Sequence, residues 1–409
     1  MRYLITGATG LLGRNVLYEI LRREGVSPPQ PEIVLLVRPG RQGEPFAERV
    51  RCLFEQDGQD VLAHLDIEHL DDVAQLGIEC IEANLDEDGL GLPEESVKKI
   101  TSRPIDVVHH IAARLDFRRT DQVRVKLERT NVRATEELLN VLSHGHVGEL
   151  CFVSSAYVCG MTTGPIEPDY INFDQDFRNP YEKTKLQAEV LVRDYCDKNG
   201  IRCRVFRPST ISGNLMTAPI GFTPKFDVFY GWGLFFLRTK FQMLQDWDQL
   251  FETPVNIDCR ICYRTDSGLN VVSADYAAKV ICEACTQAAD GDSFHLVNNE
   301  ETPHELYTTA LLDTMKVQGV TQVDHIPEDL NFVENIYYNK SVGHLYTPYI
   351  TMQPMLFSVE NLRPVLARAG FDCPPVDKDN FATLMAFARE RKFGLEELLA
   401  RQKAKAAGK

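Results

Sequence analysis

Apolar runs and helical patterns alternate along the first half of the chain. Tyr3-Leu4-Ile5 is a short apolar run, and after it Val16, Leu17, Ile20 and Leu21 recur at the spacing of a helix with one buried face. Further strand-like runs lie at 32–37 (EIVLLV), 78–83, 106–112 (DVVHHIA), 148–154 (GELCFVS) and 201–206 (IRCRVF). Helical patterns over 15–24, 44–64, 120–143 and 180–199 fall between most of them. Strands alternating with helices predict an α/β fold with a doubly wound parallel sheet. After about residue 210 the texture shifts to aromatic, proline-containing loops and then to helices such as 376–402. We therefore expect a nucleotide-binding domain over 1–210, with return elements at about 268–297. A smaller, interleaved substrate lobe is expected over 211–267 and 298–409.

Between the first strand and first helix lies Gly7-Ala8-Thr9-Gly10-Leu11-Leu12-Gly13, followed by Arg14. Glycines here permit a tight strand-to-helix turn, close backbone approach to a pyrophosphate and close helix–strand packing. The helix start adds unpaired N–H groups and a positive dipole end. The spacing is GxxGxxG, a variant of the GxGxxG fingerprint. Gly7, Thr9, Gly10, Leu11, Leu12, Gly13 and Arg14 are the dinucleotide contacts expected from this turn. Folds of this kind that bind NAD place an acid at the end of the second strand, on the ribose 2′-hydroxyl. Arg38 stands there instead, with Arg14 and Arg41 nearby, and a guanidinium suits a 2′-phosphate. The expected cofactor is NADPH.

The net charge of −15 argues against nucleic acid or an anionic membrane as the main partner. The longest apolar stretch, Val228 to Leu237, falls short of the about 20 residues of a membrane span. Met1-Arg2 leads straight into the first strand, so a cytoplasmic protein without a secretory signal is expected. Eleven cysteines include two CxxC pairs, Cys259–Cys262 and Cys282–Cys285, at a separation close to a zinc pattern. Cys282 and Cys285 lie one helical turn apart, and the first pair lacks the glycine of a zinc knuckle. Buried or reduced thiols, with no metal, are the expectation.

The stretch Asn179-Pro180-Tyr181-Glu182-Lys183-Thr184-Lys185 carries the chemistry. Pro180 suits a first helical turn, so Tyr181 and Lys185 project from one face. A nearby ammonium favours the phenolate and would bring the phenol down towards working pH. Upstream, Cys151 to Val158 reads as a strand ending in hydroxyls, among them Ser155, able to donate to a substrate carbonyl.

Together these motifs resemble the extended short-chain dehydrogenase/reductase family over most of residues 1–300. The resemblance implies a Rossmann domain in which Ser155, Tyr181 and Lys185 are catalytic, the last two also touching the cofactor. It implies that Gly7, Gly10 and Gly13 form the glycine turn and that Ala112 and Ala113 lie beside the cofactor. Asn131 to Thr135 matches the family's Asn-x-x-x-Thr helix start, and Arg207-Pro208 precedes Ser209-Thr210, placing Pro208 and Thr210 near the nicotinamide. The family's Gly-Asp-Leu reads Ala83-Asn84-Leu85 here, where the Asn84 amide oxygen can still accept a hydrogen bond from adenine.

The segments LLVRPG (35–40), NLDEDGLGL (84–92), HHIAARLDF (109–117) and VVSADYAAKVI (271–281) look like the thioester-reductase and fatty-acyl reductase branch. That branch implies NADPH-dependent reduction of an acyl thioester to an aldehyde or alcohol. The acyl group would ride on coenzyme A or on the phosphopantetheine arm of an acyl or peptidyl carrier protein. Homodimers through helices that include 120–143 and 180–199 are also implied. Ketone reductases, alcohol dehydrogenases and sugar-nucleotide epimerases share the framework and stand as the alternative. A cofactor-binding scaffold without activity would be expected to have lost Tyr181 or Lys185. The aromatic segment 221–236, with Lys225, Arg238 and Lys240, has the composition of an apolar acyl slot with a phosphate grip, or of ordinary core.

Overall fold

The computed structural model describes residues 1–38, 45–286 and 293–407, so Arg41 lies outside the described residues. Seven strands form one sheet: β1 (Arg2–Thr6), β2 (Glu32–Val37), β3 (Ile78–Glu82), β4 (Ile105–His110), β5 (Val147–Val153), β6 (Arg202–Pro208) and β7 (Ser293–Leu296). Their order is β7-β6-β5-β4-β1-β2-β3, and every neighbouring pair is parallel. Side chains of β1, β2 and β5 are buried on both faces, which is why these strands read as continuous apolar runs. The chain runs outward from β1 through β2 and β3, then restarts at β4 on the other side of β1. The crevice at the carboxyl ends of β1 and β4 is therefore the topological switch point, where ligands of such sheets bind.

Two compact units divide the chain: residues 1–211, 273–297 and 355–373 form the first, and 212–272, 298–354 and 374–409 the second. Segment 355–373, expected in the substrate lobe, belongs to the sheet unit. Leu356–Phe357 pairs in parallel with Pro165–Ile166, and Asn361 Nδ2 donates to the Ser293 carbonyl at 3.0 Å. Such pairings join residues far apart in sequence, and no local pattern announces them.

The second unit is built on a helix, Phe229–Leu244, and on the strand Val255–Cys262 paired in parallel with Val317–Val323. Phe229, Trp232, Phe235 and Phe236 are buried there among Tyr307, Tyr337 and Phe381. Trp232 Nε1 donates to the Tyr337 hydroxyl at 2.8 Å. These aromatics are core, the second of the two expectations for this segment: from Phe229 to Leu237 the helix is apolar on every side, and all of that stretch but half-buried Leu234 is buried. Of the three cations expected to form a phosphate grip, Arg238 is exposed and the other two are engaged. Lys240 is buried and donates to the Met315 carbonyl at 2.6 Å, while Lys225 pairs with Asp227.

Candidate active site

The glycine turn joins β1 to helix α1 (Leu11–Glu24). Gly7 has φ +80°, and a Cβ there would stand 2.7 Å from the Ala112 nitrogen. At Gly13 a Cβ would collide with the Gly7 carbonyl. Both glycines are thus required by the packing of α1 and the post-β4 loop against β1. Helix α1 starts at Gly10 with no side-chain cap and no acid in its first turn. Its first N–H groups face the switch point with a positive dipole end, a fit for a pyrophosphate.

Arg14 does not face outward. Its Nη1 meets Asp57 at 2.8 Å, its Nη2 donates to the Thr9 carbonyl at 3.2 Å, and the side chain is buried. Burial holds the Asp57 carboxyl above its usual range, against the pull of Arg14. Arg14 therefore braces the turn from below. Arg38 is exposed at the end of β2. Beside it, Arg49 of helix α2 (Phe46–Gln56) donates to the Arg38 carbonyl at 3.0 Å and to Thr9 Oγ1 at 3.2 Å. Sequence reasoning missed Arg49, whose one signal is a basic residue on the helix after the Arg38 strand end.

After β4 the chain enters an extended loop carrying Ala112 and Ala113. Thr6 Oγ1 accepts the Ile111 and Ala112 N–H groups, each at 3.2 Å, and donates to His110 Nδ1 at 2.8 Å. His110 Nε2 lies 2.9 Å from Thr135 Oγ1, which spends its own proton on the Asn131 carbonyl at 2.8 Å. That count assigns the His110 proton to Nε2. Burial, with Lys185 adding repulsion, pulls His110 down to about 3 and keeps the ring neutral. Asn131 clamps the same loop, accepting Arg114 N–H at 2.7 Å and donating to the Arg114 carbonyl at 3.1 Å. Asn131 sits in a π-helical turn, Glu128–Arg133, inside the helix expected at 120–143. Such turns are rare and frequent at functional sites. Asn84 is occupied within its own turn: its Oδ1 accepts Asp86 N–H at 3.1 Å and its Nδ2 donates to Glu87 at 2.6 Å. Leu85 packs half-buried against the sheet core.

Helix α3 (Pro180–Asn199) begins with Asn179 accepting Glu182 N–H at 3.2 Å and ends at left-handed Gly200. Ser155 closes the turn after β5, accepting Tyr157 N–H at 3.3 Å, and its hydroxyl hydrogen-bonds the Tyr181 phenol. Burial pushes that phenol above its ordinary value, and the Ser155 bond offsets only part of the rise. Lys185 is buried, donates to the Val153 carbonyl at 2.7 Å and lies 4.3 Å from the centre of the Phe152 ring. Burial pulls it down to about 7, with Glu189 acting the other way. The expectation of a lowered phenol is therefore corrected: desolvation, with Glu182 adding to it, outweighs the Ser155 bond. Glu189 and Arg207 form a buried pair at 2.7 Å that fastens α3 to β6. Beyond it, Thr210 Oγ1 lies 3.2 Å from the Tyr157 hydroxyl, a neighbour that sequence reasoning left without a role.

A family model described as Male sterility protein, an NAD-binding domain, matches residues 5–281. The chain belongs to that family. Among curated relatives, a carboxylic acid reductase from Segniliparus rugosus is 25% identical over 217 residues, covering 51% of this chain and 17% of that protein. A probable fatty acyl-CoA reductase 5 from Arabidopsis thaliana is 30% identical over 193 residues, covering 46% of this chain and 36% of that protein. The matches thus span well under half the length of these relatives. The solved terminal R domain of the myxalamid PKS-NRPS pathway superposes with a TM-score of 0.70 at 20% identity, covering 96% of this chain and 91% of that one. That likeness bears out the fold.

In this member of the male sterility protein family, Gly7, Gly10, Ala112, Ser155 and Pro208 all sit at the carboxyl edge of the parallel sheet. Among the described residues no helix is long and apolar enough to cross a membrane.

Proposed function

We propose that this chain binds NADPH and reduces an acyl thioester, presented on coenzyme A or a carrier-protein phosphopantetheine arm, to an aldehyde or alcohol. The observation that carries the reading is the Ser155–Tyr181 hydroxyl pair at the sheet's carboxyl edge, with Lys185 one helical turn from the tyrosine. The names of the two curated relatives favour a thioester over a ketone or a sugar nucleotide. When bound, the nicotinamide supplies the hydride. The α1 N-terminus would hold the pyrophosphate, and Arg38 with Arg49 would hold the 2′-phosphate.

Ser155 and Tyr181 would donate hydrogen bonds to the thioester oxygen as it gains charge. Tyr181, raised by burial, keeps its proton at neutral pH and can deliver it from Oη. The Lys185 ammonium favours the phenolate left behind. Collapse of the hemithioacetal then releases a thiol and an aldehyde.

NADPH oxidation measured with acyl-CoA, an acyl carrier protein, ketones and UDP-sugars tests the reading. Turnover is expected with thioesters, and Tyr181→Phe should lower it about 10²–10⁴-fold with NADPH affinity unchanged. Turnover of ketones or UDP-sugars with none of thioesters would overturn the substrate class.

A further inference from the structure

His109, Cys151 and Arg204 stand side by side across β4, β5 and β6, on the sheet face opposite His110 and Phe152. Helix α4 (Ala274–Thr286) packs over that face. Its Cys285 sulfur lies 2.7 Å from the Cys151 sulfur. One ring nitrogen of His109 and both sulfurs fall within 4.8 Å of one another. His109 is 1% exposed, and its Nδ1 has no hydrogen-bond partner among the described residues. The catalytic scheme above uses none of these three residues.

We propose that Cys151 and Cys285 are a redox-active thiol pair that closes to a disulfide under peroxide, with His109 as the base that takes the thiol proton. The sulfur separation decides between a bond and a metal. A disulfide needs about 2.05 Å. A zinc ion about 2.3 Å from each sulfur, with tetrahedral angles, would hold the two much further apart than they stand. Access favours Cys285 as the sulfur oxidised first. It is half-buried and lines a cavity of about 520 Å³ with Met1, Val107, Glu149 and Ile201, whereas Cys151 is buried. Burial also pushes the Cys151 thiol up, so that thiol needs a base. His109, neutral because burial pulls it down to about 4, is a weak base in the resting protein and accepts the Cys151 proton only as that sulfur bonds to its partner.

The Cys285 sulfur attacks peroxide and breaks the O–O bond, giving a sulfenic acid and a hydroxide that takes up the proton shed by the Cys285 thiol to become water. Cys151 then attacks the sulfenic sulfur and expels hydroxide, which becomes water with the proton that His109 took from Cys151. Two thiols are oxidised by two electrons, and one peroxide is reduced to two waters. The new bond ties β5 to α4 across 134 residues of sequence, and a cross-link over so long a loop stabilises strongly through the unfolded chain.

The full chain, treated with hydrogen peroxide and mapped by peptide mass spectrometry without reductant, should yield a Cys151–Cys285 linked peptide. Its melting temperature should rise by several degrees and fall back with dithiothreitol. Cys285→Ser and Cys151→Ser should each lose both effects. Cys196→Ser, which removes the hydrogen-bonded Cys196–Cys203 pair, should keep them. His109→Asn should slow closure about a hundredfold and alter its pH profile, a change that packing alone would not cause. Oxidation that links Cys196 to Cys203 while leaving Cys151 and Cys285 free would overturn the proposal. So would a zinc-dependent rise in melting temperature that needs all three residues, which would make the cluster a metal site.

Discussion

Lys185 in the first unit and Lys240 in the second are both buried, and each donates to one main-chain carbonyl, Val153 at 2.7 Å and Met315 at 2.6 Å. Burial lowers both, Lys185 to about 7 and Lys240 to about 8, the latter with added repulsion from Lys316. By titration they are near twins. Their neighbourhoods differ. Lys185 has a tyrosine one turn before it on the same helix, and that tyrosine hydrogen-bonds a strand-end serine. Lys240 has charged groups only, Lys316 and Glu252, acting on it. A displaced lysine therefore reports desolvation, and an acid–base partner in reach is what marks a site.

The largest effect should come from exchanging each lysine for methionine, which keeps the length and removes the charge. Lys185→Met is expected to lower turnover about 10²-fold or more, since the phenolate loses its support. Lys240→Met should leave turnover close to wild type. Steady-state NADPH oxidation with an acyl thioester reads both. A Lys240 variant as damaged as the Lys185 variant would dissolve the distinction.

Aromatic residues sharpen the same contrast. Trp232 is buried in the second unit with its ring nitrogen bonded to Tyr337. Trp232→Ala should lower stability by about 3–5 kcal/mol and affect every acyl chain length alike. Phe117 is half-buried and sets its edge against Tyr181, ring centres 5.4 Å apart. Phe117→Ala should cost little stability and lower kcat by misplacing the phenol. Thermal melts beside a chain-length series check both. A chain-length-dependent KM in the Trp232 variant with a normal melt would restore the slot.

Local rules made much of this legible. The strand at 32–37 and the helix at 180–199 end where the pattern places them, because apolar continuity, Asn179, Pro180 and Gly200 each act within a few residues. Ser155 and Tyr181 were likewise readable as a strand end and a helix start, and their meeting follows from β5 and α3 being neighbours in the fold. What stayed hidden depends on distant partners. Arg14 turns inward because Asp57, 43 residues on, waits beneath α1, and Arg49 lies beside Arg38 only because α2 folds back across the β2 end. Lys240, read from sequence as one cation of a phosphate grip, is buried by the packing of the second unit. The segment 355–373 gave no sign that its short strand pairs at Pro165–Ile166.

The smallest effect is in stability against pH. Lys240 has a folded value of about 8, below its ordinary 10.5, so between those values the unfolded chain binds more protons than the folded one. Wild-type stability relative to Lys240→Met should then rise with pH across that window, by about 1–3 kcal/mol, and be flat below pH 8. Below pH 8 the variant gains from losing a buried charge but leaves the Met315 carbonyl without its donor, which costs about 1–3 kcal/mol. The absolute difference at neutral pH is therefore small, and the slope is the quantity to measure. For Lys185→Met the same rise should begin one pH unit lower, at about 7. Urea titrations of both variants and wild type from pH 6 to 10.5 give the slopes. A slope of opposite sign would mean that the lysine is charged in the folded chain across this range, and would remove the titration likeness from which the comparison starts.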